Sequence, residues 1–98
     1  MTRAIFHPSA RRELEDAVDE YNGETEGLGT EFREEAQRVI ALLMRFPRLG
    51  QVVLGNVRRV VLSRFPYQIF YRVLESDNLR ILAIGHHRRR PEYWAGRR

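Results

Sequence analysis

The chain contains no cysteine, so it can form no disulfide framework and offers no thiolate as nucleophile or metal ligand; a reducing compartment suits it. It contains no lysine either, all seventeen basic residues being arginine. That excludes lysine general-base and Schiff-base chemistry and leaves a planar, permanently charged cation suited to phosphate and carboxylate. No apolar run approaches the roughly 20 residues that a membrane-spanning helix needs. The first eight residues hold no apolar stretch of the kind a secretory signal uses, so a cytoplasmic protein without a membrane partner is expected. A Gly-rich phosphate loop, a Ser-His-Asp arrangement and paired strand-end carboxylates are missing as well. The only histidines are His7, His86 and His87. The last two are neighbours on an expected strand, where side chains diverge, so no metal site is expected and no cofactor is called for.

What is present is one domain's worth of chain. Ninety-eight residues predict a single domain over 1–98 with one modest core. The charge is divided unevenly. Residues 1–44 hold five arginines and ten acids, a net −5, while residues 45–98 hold twelve arginines and three acids, a net +9. Such a split points to an anionic partner for the C-terminal half, either nucleic acid or an acidic protein.

Periodicity divides the chain in the same place. Residues 3–7 read as a short strand stopped by Pro8. Ser9 is the expected N-cap of a helix whose apolar stripe is Ala10, Leu14, Ala17, Val18 and Tyr21, ending at Asn22-Gly23. A second helix follows from Leu28, with Phe32, Ala36, Val39, Ile40 and Leu43 on one stripe, and Pro47 and Gly50 stop it. After that the period shortens to two. Val52–Leu54, Val57–Ser63, Tyr67–Leu74 and Leu79–His86 read as strands separated by Gly55-Asn56, Phe65-Pro66 and Ser76-Asp77-Asn78. Connections this short make neighbouring strands antiparallel. The expected fold class is therefore α+β: an N-terminal strand, a two-helix hairpin, then an antiparallel β-meander, in the order β-α-α-β-β-β with room for an extra short strand. The helices would cover one face of the sheet and leave the other open to a ligand. Alternation places Tyr67, Ile69, Tyr71 and Val73 on one face and Gln68, Phe70, Arg72 and Leu74 on the other. The helix carboxylates Asp16, Glu20, Glu31 and Glu35 read as solvated, and Ala95–Arg98 as a loose tail.

Three clusters hold candidate chemistry. Arg58 and Arg59 adjoin on a strand and must point to opposite faces. Arg64 sits with Phe65 and Tyr67 at a strand-to-strand turn. The run His86-His87-Arg88-Arg89-Arg90, followed by Tyr93 and Trp94, places three guanidinium groups for phosphate or carboxylate beside imidazoles able to move protons near neutral pH and aromatic faces on which a base can stack. Arg58, Arg59, Arg64, His86, Arg88, Arg89, Arg90 and Trp94 are thus the candidate target- or phosphate-binding residues, and His87 and Tyr93 the candidate catalytic pair. A basic docking surface without catalysis is the competing reading of the same residues.

Five segments, in order and at matching spacing, resemble the RelE/ParE superfamily of toxins from type II toxin–antitoxin modules, also known as plasmid stabilisation proteins. They are Pro8–Leu14, Leu28–Phe32, Phe46–Gly50, Phe65–Tyr71 and His86–Trp94. The resemblance implies the same sheet-and-two-helix fold, growth arrest as the outcome, and neutralisation by a cognate antitoxin whose acidic segment wraps the basic surface. It also implies one of two targets. RelE-like members cut messenger RNA on the ribosome, whereas ParE-like members inhibit DNA gyrase without catalytic residues of their own. The basic position after the strand tyrosine in the nuclease branch corresponds here to Gln68, another basic strand position to Val61, and an arginine after the last strand to His87; Arg59 and Tyr93 match. A reaction driven by crowded cations loses a few kcal/mol of transition-state stabilisation with each missing charge. The resemblance therefore favours a ParE-like gyrase inhibitor. The alternative is a ribosome-dependent endonuclease in which Arg59 and Arg64 hold phosphate, Arg88 assists, Tyr93 orients the substrate and His87 moves the proton.

Overall fold

The structure, a computed structural model, describes residues 2–98. Its elements are β1 (Ala4–Phe6), α1 (Pro8–Glu24), α2 (Leu28–Arg45), β2 (Gln51–Leu54), β3 (Val57–Val61), β4 (Tyr67–Val73) and β5 (Leu79–His86). The meander β2-β3-β4-β5 is antiparallel, as short connections require, and β2 is the extra short strand. The sheet order is β1-β5-β4-β3-β2. β1 joins it parallel to β5, with Ala4 opposite Leu79 and Phe6 opposite Ile81. The sheet is therefore mixed rather than wholly antiparallel. Parallel pairing needs a long crossover, and here everything from α1 to β4 lies between the two strands.

Several boundaries differ from the sequence reading for local reasons. His7, not Ser9, caps α1: its Nδ1 accepts from Ser9 N at 3.0 Å, and Pro8 fills the first helical position, where its missing N–H costs nothing. The helix continues through Asn22-Gly23 to Glu24, because Asn22 is recruited from outside the helix. Its Oδ1 accepts from Gly29 N at 2.7 Å and ties the hairpin shut. Gly29 is the point of closest approach, since a Cβ there would collide with the Val18 carbonyl of α1. β3 ends at Val61 because Ser63 N and Arg64 N turn away to the Glu35 carboxylate, at 3.0 and 3.1 Å. Glu35 is therefore buried, 4% exposed, contrary to the expectation of a solvated helix face. No helix among the described residues is long and apolar enough to cross a membrane.

The main core lies between the helices and the sheet. Ala10, Leu14, Ala17 and Val18 of α1 and Phe32, Ala36, Val39, Ile40 and Leu43 of α2 close over Ile69, Tyr71, Leu79, Ile81 and Ile84. Tyr67, Ile69, Tyr71 and Val73 share this face as alternation predicts. Tyr71 does more than fill space. Its Oη donates to the Pro47 carbonyl at 2.7 Å and accepts from Gly50 N at 2.9 Å, fixing the α2–β2 loop from inside the core.

The second face is not open, which corrects the expectation of a bare sheet. Val57, Phe70, Leu82, Ala83 and Trp94 form a second buried cluster, with Val53 and Tyr93 at its rim. An irregularity between Phe70 and Tyr71 in the β4–β5 register turns both Leu82 and Ala83 toward it. The lid is the segment after β5, which folds back over the sheet.

Two predictions follow from these contacts. Tyr71→Phe leaves Gly50 N and the Pro47 carbonyl unpaired and costs about 1–3 kcal/mol in urea unfolding; an unchanged midpoint would refute the pinning role. The His7 imidazole is held below its ordinary 6.5 by partial burial and then by the Arg97 and Arg80 charges. The unfolded chain therefore takes up this proton first, so the cap's stability is present above pH ~6.5 and is lost as pH falls through the depressed folded value. Melting temperature should drop over that window, and His7→Asp, which caps as an anion, should remove this part of the pH dependence.

Candidate functional site

Register brings two of the three sequence clusters together. Tyr67 pairs with His86, and His87 N donates to the Pro66 carbonyl at 2.9 Å, so the β3–β4 turn and the segment leaving β5 share one end of the sheet. Arg64, His86, His87, Arg88, Arg89 and Arg90 all belong to this end. Arg64 is partly neutralised, its guanidinium lying 2.7 Å from Glu31, whose hydrogen bond raises the arginine's pKa. The His86 ring meets Tyr67 edge-on at 5.2 Å, and its Nδ1 accepts from Arg88 N at 3.0 Å, an arrangement that assigns the proton of the neutral ring to Nε2. His87, Arg88 and Arg90 are exposed. Neither Arg88 nor Arg90 has a carboxylate partner among the described residues.

The first cluster stays apart. Arg58 donates to the carbonyls of Gly50 (2.8 Å) and Arg48 (3.2 Å) and so braces the α2–β2 loop. Arg59 takes the opposite face, with its guanidinium 3.5 Å from Gln51 Oε1. It shares a cross-strand row with Phe70 and Ala83, next to the row of Val61, Gln68 and Gly85. The positions that would carry charge in a nuclease therefore do lie on one face, and two of them are neutral.

Tyr93 and Trp94 are placed differently from their assigned roles. Trp94 is 2% exposed and stacks on Phe70 at 4.8 Å. It is packing for the second core and offers no face to a base, which corrects its assignment as a target-binding residue. The Tyr93 ring lies under Arg89, at 3.9 Å, and near Arg97, at 5.0 Å. Its hydroxyl is buried over Gly85 without a hydrogen-bond partner, and a side chain at Gly85 would collide with it. Burial, followed by the negative charge of Glu13, pushes its pKa up to about 12. A phenol so placed stays protonated at neutral pH and cannot serve as a base.

The residue that sequence reasoning missed is Glu13. It belongs to the charged sequence of α1, yet its side chain is only 14% exposed. Both of its oxygens accept from Arg97, at 2.9 Å each, and Oε1 also accepts from Ile84 N at 3.0 Å. Arg97 in turn donates to the Leu82 carbonyl at 3.0 Å, and Arg89 approaches Glu13 Oε2 at 3.9 Å. The reason is topological. β1 ends opposite Ile81, so the outer edge of β5 beyond that point has no strand beside it, and a buried N–H there needs an acceptor. The available signal was position: Glu13 falls three residues after Ala10 and four before Ala17, on the border of the apolar stripe. With Asp16 and Glu20 it forms the acidic wall of a groove whose other wall holds His86 and Arg89. The tail is thus latched rather than loose.

Comparison with known proteins places these observations. A family profile described as "ParE toxin of type II toxin-antitoxin system, parDE" matches residues 4–91. No curated protein matches the chain. Among solved structures, a chain of the chromosomal ParDE system of P. aeruginosa superposes with a TM-score of 0.63 at 16% identity, covering 88% of this chain and 96% of that one. The isolated E. coli RelE toxin gives a TM-score of 0.69 at 16% identity, over 95% and 92% of the two chains. A chain of the intact E. coli RelBE toxin–antitoxin complex gives 0.70 at 16% identity, over 91% and 100%. At such identity the structural likeness speaks for the fold alone.

Trp94 is the sole tryptophan, so its fluorescence reports on the latch. Glu13→Ala strands Arg97 and Ile84 N and should cost about 3 kcal/mol or more. Tail emission should shift to the red at urea concentrations where far-ultraviolet dichroism is still native. Coincident transitions at the wild-type midpoint would show that Glu13 does not hold the tail.

Proposed function

The chain belongs to the ParE toxin family of type II toxin–antitoxin systems, and on that premise we propose that it arrests growth by occupancy rather than by catalysis. The basic end formed by Arg88 and Arg90 grips an anionic surface of its target, DNA gyrase being the favoured one, and blocks the target's cycle. A cognate antitoxin with an acidic segment neutralises it by covering cationic surface. The antitoxin complexes among the structural neighbours, ParDE and RelBE, support this partnership, and so does the +9 charge of residues 45–98.

One observation carries the non-catalytic reading. The sheet face on which a phosphodiester would be cut holds neutral Val61 and Gln68 beside Arg59, and the tyrosine closing it has a buried hydroxyl that keeps its proton at neutral pH. Cleavage next to a ribose hydroxyl needs a base, an acid and concentrated positive charge, and of the three neighbouring strand positions Arg59, Val61 and Gln68 only the first is charged. The ribosome-dependent endonuclease keeps a specific point in its favour: His87 is exposed and follows β5 at the end where Arg64 and Arg88 also lie. Against it, Arg64 is paired with Glu31 and Tyr93 is covered by two arginines.

Induction in cells, with translation and DNA damage followed separately, distinguishes the two. The expected result is a damage response while early translation continues, with His87→Ala and Tyr93→Phe as toxic as the parent. Tyr93→Phe removes only an unpartnered hydroxyl, so its fold should be at least as stable. Prompt loss of intact messenger RNA, or a drop in toxicity of roughly a hundredfold or more in either variant, would replace the proposal by the nuclease.

A further inference from the structure

Residues 36–74 hold seven arginines and neither aspartate nor glutamate. Among the described residues, six of the seven exposed large apolar side chains fall in the same stretch. Three of them follow one another where α2 ends. Leu42 and Phe46 stand one turn apart on the solvent side of the helix, 40% and 52% exposed, and Leu49 in the loop is 54% exposed. Leu49 N donates to the Phe46 carbonyl at 3.0 Å, which keeps the two side by side. Arg38 and Arg45 share the helix stripe of Leu42 by their spacing of four and three residues. The Arg45 guanidinium lies 5.4 Å from the centre of the Phe46 ring. Arg45, Arg48 and Arg58 have no carboxylate partner among the described residues.

The loop is held in this state. Tyr71 Oη grips the Pro47 carbonyl and Gly50 N from inside the core, and Arg58 braces the Arg48 and Gly50 carbonyls from outside. Gly50 packs so closely on the Tyr71 ring that a Cβ there would collide with it. Buried hydrogen bonds thus fix a loop whose large apolar side chains project outward, each flanked by an arginine. The β3 and β4 strands separate its neighbour β2 from β5, so the patch is distinct from the basic end at Arg88 and Arg90.

We infer that the end of α2 and the loop after it form a peripheral contact for an anionic lipid surface. Phe46, Leu49 and Leu42 enter the boundary between headgroups and acyl chains, while Arg45 and Arg48 extend their charges to the lipid phosphates. No helix among the described residues is long and apolar enough to cross a bilayer, so the contact stays on the surface. The combination decides the occupant. Nucleic acid would satisfy the arginines and leave the three apolar tips in water. A second copy would set Arg45 and Arg48 against themselves. A folded protein would need a matching cavity for each projecting tip, whereas a headgroup layer yields to any shape and presents phosphate above hydrocarbon.

The test is cosedimentation of the full chain with vesicles of phosphatidylglycerol and phosphatidylcholine in equal amounts, and with phosphatidylcholine vesicles alone. Only the anionic vesicles should carry the protein down. Phe46→Ser with Leu49→Ser should weaken that binding roughly tenfold or more, and Arg45→Gln with Arg48→Gln should weaken it to a similar degree. Arg88→Gln with Arg90→Gln should have the smaller effect, and thermal melts confirm that each variant is folded. A duplex DNA fragment serves as the competing ligand, and its binding should not change in the serine variant. No binding to anionic vesicles, equal binding to both kinds, or full affinity in the serine variant, which would mean simple adsorption of a basic protein, would each overturn the assignment. So would a larger loss from the Arg88 and Arg90 pair, or DNA binding that falls with the serine variant.

Discussion

The fold turns on one carboxylate. Glu13 stands where α1, β5 and the C-terminal segment meet, and it satisfies a donor from each of the latter two. Without an acceptor at that place the edge of β5 would bury an unpaired N–H, and the Arg97 guanidinium would be stranded beside it. A neutral side chain could take one of these bonds but not both at charge-assisted strength. Because Arg97 follows Trp94 by three residues, the same ion pair holds the indole over Phe70 and so closes the second core. The second core around Phe70 therefore depends on a polar contact made at the edge of β5.

Among the described residues, eight of the seventeen arginines fall into two groups. Arg33, Arg58, Arg64, Arg80 and Arg97 are committed to the scaffold, through Glu15, loop carbonyls, Glu31, the Phe6 and Arg98 carbonyls, and Glu13 respectively. The guanidinium's several donors and fixed plane make it suited to gathering backbone carbonyls where a chain leaves regular structure. Arg48, Arg88 and Arg90 face solvent uncommitted. The charge split seen in the sequence thus overstates the cationic surface available to a partner, and concentrates it at two separate places: the end beyond β5 and the β2 edge.

Most of the architecture was legible. Both helix stripes, the four later strands and the two faces of β4 follow from periods of 3.6 and 2, because there the buried partner is apolar and repeats. What could not be read was set by single polar contacts over long sequence distances. The role of Glu35 depends on a turn 28 residues away, and that of Glu13 on Arg97, 84 residues away. Nothing local distinguishes either from its solvated neighbours. The candidate site was half legible for the same reason. The gathering of Arg64 with His86–Arg90 follows from strand register, but the burial of Trp94 and of the Tyr93 hydroxyl depends on a lid with no periodic signature. The parallel placement of β1 was also hidden, since a three-residue strand carries no direction in its pattern.

That placement has a consequence for how the chain closes. Leu79 N reaches back to the Arg3 carbonyl at 2.8 Å, and Arg3 N to Asn78 Oδ1 at 2.9 Å, across 75 residues. During synthesis the N-terminal strand has nothing to pair with until β5 has left the ribosome, long after the helix hairpin is complete. Closing so long a loop is paid for before any bond in that ladder forms. Until then neither the latch at Glu13 nor the basic end can assemble, because both need β5 and the segment after it.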